Sequence, residues 1–117
     1  MPEAVARLKR RRDYLRVAAA RRKAVTPGMV VQACARSNDD NNEIRAGFTA
    51  SRKVGNAVVR NRARRRLKAL ADELLPEGGL PATDYVLIAR QATAQRDFPA
   101  LRHDLESALG RLARGRS

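Results

Sequence analysis

The 117-residue chain lacks several features that define common protein classes. Its single cysteine, Cys34, cannot form an internal disulfide, which argues against a secreted, disulfide-framed fold. Its longest apolar runs, 17–20 and 86–89, are far shorter than the roughly 20 residues that span a bilayer. No apolar segment follows the basic start, so no secretory signal is expected. We therefore expect one domain over residues 1–117, in the cytoplasm and without a membrane partner.

Acidic residues are scarce where basic residues concentrate. The formal net charge is +13, from 25 Lys and Arg against 12 Asp and Glu. Residues 7–23 carry nine bases and one acid, Asp13, and residues 52–68 carry eight bases and no acid. The other 83 residues carry 8 bases and 11 acids. Such segregated arginine favours a phosphate-rich partner, because a guanidinium can donate to two phosphate oxygens at once.

The hydrophobic pattern predicts an α+β fold without repeats or a domain boundary. Helical spacing marks residues 13–20, and strand patterns mark 29–35, 44–50 and 85–89. A long helix is expected from an N-cap at Asn56 to about Leu75, before Pro76, and a last helix from about Asp97. The order α-β-β-α-β-α predicts a two-layer α/β sandwich with helices on the sheet, and it allows a βαβ crossover around the long helix.

The long helix is predicted to have one apolar and one cationic face. At 100° per residue, Val59, Ala63, Leu67, Leu70 and Leu74 share an arc of about 80°. The opposite side and its flank carry Arg60, Asn61, Arg62, Arg64, Arg65 and Lys68. Arg66 is expected at the edge of the apolar stripe, extending its stem over the core rim to reach water. No acid relieves this charge, which favours a polyanionic partner over a merely solvated surface.

The start of the same helix predicts a second anion-binding feature. The first-turn amides after Gly55 and Asn56 are unpaired, and the helix dipole favours negative charge there. Arg52 and Lys53 precede this end. Together with the helix they would form a phosphate-binding strip about 25 Å long, suited to a nucleic-acid duplex or a folded RNA.

Residues Gly47–Arg65 resemble the signature of the bacterial ribonuclease P protein family. The resemblance lies in Ser51-Arg52-Lys53-Val54-Gly55 followed by Arg60-Asn61-Arg62 and the basic pair Arg64-Arg65. Residues 7–9, 13–14 and 84–86 also fall where that family has counterparts. The resemblance implies a fold like the second domain of ribosomal protein S5, with a left-handed βαβ crossover.

The same resemblance implies a division of labour between RNA and protein. In that family a catalytic RNA carries the hydrolytic site and its Mg²⁺, and the protein binds this RNA and the 5′ leader of precursor tRNA. No catalytic residue and no cofactor are then expected in the protein itself. The residues expected to bind the catalytic RNA are Arg52, Lys53, Asn56, Arg60, Asn61, Arg62, Arg64, Arg65 and Lys68. Those expected to bind the leader are Arg7, Lys9, Arg10, Tyr14 and Val17.

The chain departs from the family pattern at three positions. Ala18 and Gln32 stand where the family commonly has aromatic residues, and Arg66 replaces a common apolar residue. Because base stacking contributes about 1–3 kcal/mol per base, leader binding here relies more on Tyr14 and on charge. Tyr14 as a core aromatic remains the alternative.

Other readings remain open at this stage. A non-catalytic RNA-binding protein, such as a ribosomal component, also explains the charge. A protein-only nuclease would need metal ligands, and only Asp39-Asp40 in a polar turn offers weak ones, since His103 has no second ligand at suitable spacing. Residues 1–12 are compatible with a flexible basic arm, and weak self-association of the RNA-free protein is compatible with the sequence.

Overall fold

The computed structural model describes residues 5–36 and 42–115, which form one mixed sheet and three helices. The polar turn containing Asp39 and Asp40 lies outside the described residues. No helix in the described ranges is long and apolar enough to cross a membrane. The strands are β1 (Ala6–Arg7), β2 (Lys23–Val25), β3 (Met29–Ala35), β4 (Arg45–Thr49) and β5 (Thr83–Ala89). The helices are α1 (Arg11–Ala19), α2 (Ala57–Gly78) and α3 (Phe98–Arg114).

The sheet has the strand order β1-β4-β5-β3-β2. β4 and β5 pair in parallel, with Ala46 opposite Tyr85 and Phe48 opposite Leu87, and α2 connects them. β3 pairs antiparallel with β5 and with β2, and β1 pairs in parallel with β4. This arrangement confirms the predicted α+β class and the crossover through the long helix.

The main core lies between the sheet and helices α2 and α3. Ala63, Leu67 and Leu70 of the predicted α2 stripe are fully buried, while Val59 and Leu74 pack at its edges. The buried stripe continues through further α2 residues, Ala71 and Leu75. The helical periodicity therefore predicted correctly which face of α2 packs on the sheet.

Helix α1 packs on the opposite face of the sheet and adds a third, smaller layer to the predicted two. Its Val17 forms a second buried cluster with Leu8 and with Val86 of β5. β5 can support both layers because its two faces are apolar, with Tyr85 and Leu87 on the α2 side. A strand that is apolar on both faces is typical of the centre of a sheet.

The structure corrects the predicted elements in two respects. β1 and β2 were not predicted, because strands of two and three residues are too short to establish a period of two. Helix α2 continues through Pro76 to Gly78. Because Pro76 stands in the last turn, its missing N–H and the crowding of the carbonyl four residues earlier affect only the end of the helix. The sequence was also compatible with a flexible basic arm over residues 1–12. In the structure, residues 5–12 contain β1 and the start of α1, and residues 1–4 lie outside the described residues.

A single buried carboxylate joins α1 to the sheet. Asp84 of β5 is fully buried and accepts hydrogen bonds from Arg16 of α1, from Arg36 at 2.7 Å and from Arg45 of β4 at 2.7 and 2.8 Å. Burial alone would raise the pKa of Asp84, but the hydrogen bonds from Arg45, Arg16 and Arg36 outweigh it, and the pKa lies below its usual value. Three elements distant in sequence are thus tied to one charge.

A second carboxylate ties the N-terminal strand to α2. Arg7 donates to both oxygens of Asp72 at 2.9 Å, and the Val5 amide donates to the same group at 2.9 Å. The hydrogen bond from Arg7 is the main cause of the lowered pKa of Asp72. Residues 5–7 are therefore placed by contacts with a residue more than 60 positions away.

We expect Asp84→Asn to lower the free energy of unfolding by about 3–5 kcal/mol, because the arginines around it would lose their counter-ion. Denaturant unfolding measures the loss, with Glu73→Gln as the control, since Glu73 forms an exposed pair with Arg102 and should matter little. Equal stability of the two variants would contradict the role given to Asp84.

The pH dependence follows from the direction of the two pKa shifts. A carboxylate whose folded pKa is depressed contributes stability above its unfolded pKa and loses it as the pH falls through the folded value. The wild-type protein should therefore lose stability below about pH 4, and Asp84→Asn should lose less over that range.

Candidate nucleic-acid interface

The start of α2 is fixed by its cap and by one glycine. The Asn56 side chain accepts a hydrogen bond from the Val59 amide at 3.0 Å, which confirms the predicted N-cap. Gly55 has φ of 152°, and a Cβ there would lie 2.8 Å from Val59 Cγ1. Glycine is therefore required where the chain enters the helix. Arg52 and Lys53 lie exposed in the short 3₁₀ helix just before it.

The predicted cationic face of α2 is open to solvent. Asn61, Arg65 and Lys68 are exposed, and Arg60 and Arg64 are half-buried. Arg64 donates to the Asn61 side-chain oxygen at 2.6 Å. Across the described part of the chain, no carboxylate forms an ion pair with a cation of this face. Its charge is therefore not neutralised by the described residues.

Two cations on the α3 side of α2 are held by backbone carbonyls. Arg62 donates from Nε to the Ala94 oxygen at 2.8 Å, and Arg66 donates to the oxygens of Thr93, at 2.6 Å, and of Arg96. Burial, followed by the nearby charge of Arg62, lowers the pKa of Arg66. The sequence predicted that Arg66 reaches water over the core rim; instead its tip bonds to the segment before α3.

The order of charges along α2 opposes the helix dipole. Cations fill its N-terminal half, whereas its acids, Asp72, Glu73 and Glu77, all lie in the C-terminal half. The first turn contains no acid and the last turn no base. Helix dipoles favour the reverse order, typically by 0.3–1 kcal/mol per charge near an end. The arrangement therefore destabilises α2 in the protein without a ligand. An external anion near the start of the helix would offset this loss.

A second surface surrounds Tyr14, on the α1 side of the sheet. Tyr14 is half-buried and packs against Gly47 of β4, where a Cβ would lie 2.6 Å from Tyr14 Cε1. Its hydroxyl lies 3.5 Å from the Leu8 carbonyl oxygen. Glycine at position 47 is therefore what allows the ring to rest on the sheet. Tyr14 is neither fully exposed nor a residue of the main core.

Beside α1, one row of side chains crosses four strands. Val25, Val30, Ile88 and Thr49 are register neighbours on β2, β3, β5 and β4. Val25 is 47% exposed and the other three are half-buried. We name this row the sheet floor. The row was not predictable from the sequence, because it depends on the strand order and register that bring the four residues side by side.

Two of the predicted leader-binding residues make contacts within the fold. Val17 has no exposed surface, because it packs beneath α1 on Val86; it supports the sheet floor and cannot contact a ligand directly. Arg7 is paired with Asp72, and its guanidinium lies 5.2 Å from the centre of the Phe48 ring. Lys9 and Arg10 are exposed and line a groove of about 730 Å³ between β1, α1 and the start of β4, which Asp13 and Glu43 also line.

The remaining candidates are not brought together into a site. His103 is exposed on α3. Within residues 5–36 and 42–115, no three side chains of the metal-binding types His, Cys, Asp and Glu form a group that could hold an ion. Cys34 is half-buried, with its sulfur 3.4 Å from Arg16 Nη1.

Comparison with known proteins identifies the family. The family model named Ribonuclease P matches residues 2–113. The chain belongs to the ribonuclease P protein family. The ribonuclease P protein component of Paramagnetospirillum magneticum is 47% identical over 108 residues, covering 91% of this chain and 81% of the relative. That of Ruegeria pomeroyi is 50% identical over 106 residues, covering 90% and 84%.

Solved structures of the family share the fold. The Staphylococcus aureus RNase P protein superimposes with a TM-score of 0.73 at 26% identity, covering 91% of this chain and 94% of that one. The Thermotoga maritima RNase P protein gives 0.73 at 25% identity, covering 95% and 98%. The chain is thus a protein subunit of ribonuclease P, a tRNA-processing ribonuclease, and the ribosomal alternative is not favoured.

Proposed function

We propose that this chain binds the catalytic RNA of ribonuclease P through the cationic face of α2 and binds the 5′ leader of precursor tRNA beside α1. In this way it assists removal of the leader by an active site that lies in the RNA. The RNA, and not the protein, holds the Mg²⁺ ions, and the complex acts in the cytoplasm. The cations of α2, which no described carboxylate neutralises, carry this proposal.

The α2 face would act by neutralising phosphate repulsion where the RNA chains approach each other. Arg65 and Lys68 are exposed and lie three residues apart, which makes them neighbours on the surface of α2. They would contact neighbouring phosphates of the RNA. Arg52 and Lys53 extend the positive surface past Asn56, where the first-turn amides and the helix dipole also favour an anion. No proton transfer by a side chain of the protein is part of this function.

The leader would lie on the sheet floor with Tyr14 as its stacking platform. An extended single strand presents base faces to apolar surface and phosphates to cations. Lys9 and Arg10 are exposed near the same helix and supply the charge. At the two positions without the family's aromatics, Ala18 is exposed and Gln32 is half-buried on the α1 side of β3. Leader binding is therefore proposed to depend more on charge than on stacking.

Reconstitution with the cognate catalytic RNA tests the main proposal. At low Mg²⁺, adding the protein should restore precursor-tRNA cleavage, and the double variant Arg64→Gln/Lys68→Gln should restore much less. Arg114→Gln, an exposed change at the far end of α3, is the matched control and should act like wild type. Cleavage that is the same with and without the protein would contradict the proposal.

For the leader, Tyr14→Ala should weaken precursor-tRNA binding by the holoenzyme about 5- to 150-fold, because one stacked base is lost. Binding of mature tRNA should change little. Gly47→Ala should act in the same direction, because the added methyl group displaces the Tyr14 ring. Leu15→Ala, on the exposed side of α1, is the control. Equal weakening of precursor and mature tRNA would remove Tyr14 from the leader site.

A further inference from the structure

A small groove on the α3 side of α2 has a composition suited to a nucleotide. It encloses about 300 Å³ and is lined by Arg62, Arg65, Arg66, Ala69 and Phe98. Within residues 5–36 and 42–115, no carboxylate lines it. A second groove of about 490 Å³, lined by Val58, Asn61, Arg64, Arg65 and Lys68, also follows α2. Arg65 lines both, so its side chain forms a ridge between two cationic grooves.

The cations of the smaller groove are held in place before any ligand arrives. Arg62 is anchored through Nε to the Ala94 carbonyl, which leaves its two terminal nitrogens for an anion. Arg66 is anchored by two carbonyls of the segment that leads into α3. Anchored side chains lose little further freedom on binding, so the groove is preorganised.

Phe98 supplies the flat apolar element of the groove. The guanidinium carbons of Arg66 and Arg102 each lie 5.4 Å from the centre of its ring. Arg102 is neutralised by Glu73, with Nε 2.7 Å from a carboxylate oxygen. Among the described residues Arg66 forms no such ion pair, and the nearby Asp97 carboxylate only partly favours its charge. A planar cation on an aromatic ring forms a stacking platform for a base, with further cations beside it for a phosphate.

We propose that this groove binds one unpaired nucleotide of the catalytic RNA, its base against Arg66 and Phe98 and its phosphate at Arg62 and Arg65. The RNA would then contact α2 on both sides of the Arg65 ridge. This inference rests on the proposed binding of the catalytic RNA by α2, because the two grooves share Arg65. An acidic peptide would also satisfy the charge but would not use the planar platform.

Site-directed crosslinking tests the location. In a Cys34→Ala background, a photoreactive aryl azide is placed on Ala69→Cys, which lies in the smaller groove, or on Val58→Cys, which lies in the larger one. With the holoenzyme, the probe at position 69 should crosslink to an unpaired nucleotide of the catalytic RNA, in a segment different from that reached from position 58.

The outcomes separate this inference from the function on which it rests. RNA crosslinks from position 58 but none from position 69 would overturn the nucleotide site alone. Crosslinks from position 69 only to base-paired RNA, or only to precursor tRNA, would overturn it as well. Absence of RNA crosslinks from both positions would contradict the binding of catalytic RNA by α2.

Affinity measurements test the platform itself. Phe98→Leu keeps apolar packing in a half-buried position, and Arg66→Lys keeps the charge but not the plane. Each should raise the dissociation constant for the catalytic RNA about 5- to 50-fold. Arg102 also lies over the Phe98 ring, but Glu73 neutralises it, so Arg102→Gln should leave the dissociation constant unchanged. Wild-type affinity in both platform variants, with weakened binding in Arg64→Gln, would overturn the proposal.

Discussion

Like charges on one helix are the constraint around which this protein is organised. Arg60, Arg64 and Lys68 are spaced four residues apart on α2, and each such pair costs a few tenths of a kcal/mol. The helix does not relieve this repulsion with its own acids. Burial of its apolar stripe against the sheet and α3 stabilises the helix instead. This burial contributes more free energy than the like-charge repulsion and the unfavourable dipole interaction together remove.

Several acids in the described part of the chain are used elsewhere, in contacts within the fold. Asp84 neutralises arginines from α1 and β4, and Asp72 neutralises Arg7 of β1. Asp104 and Glu73 pair with Arg96 and Arg102 around α3. The less exposed of these ion pairs, those of Asp84, Asp72 and Asp104, thus fix the edges and outer helices of the fold, and the N-terminal half of α2 keeps its charge. The proposed RNA partner, a ligand of opposite sign, would neutralise this charge from outside.

The sequence predicted best what depends on local periodicity. The stripe of α2 was found because many residues repeat the same helical spacing. The strand Met29–Ala35 was found from its β-branched and apolar composition, and the Asn56 cap from its residue type after Gly55. Contacts between distant residues were not predictable. Arg16 and Asp84 are 68 positions apart, and no local sequence pattern indicates that they meet. The sheet floor was missed for the same reason, since it needs strand order and register. Val17 shows that helical spacing identifies an apolar face without telling which apolar residues remain exposed.

The salt dependence of RNA affinity tests most directly whether the α2 cations meet phosphates. The association constant for the catalytic RNA should be measured between 50 and 200 mM salt, for the wild type and for Arg64→Gln/Lys68→Gln. Each neutralised duplex phosphate contributes about 0.9 to the slope of log K against log salt. We expect the double variant to have a slope shallower by about 2. Equal slopes would show that these cations do not contact the RNA backbone.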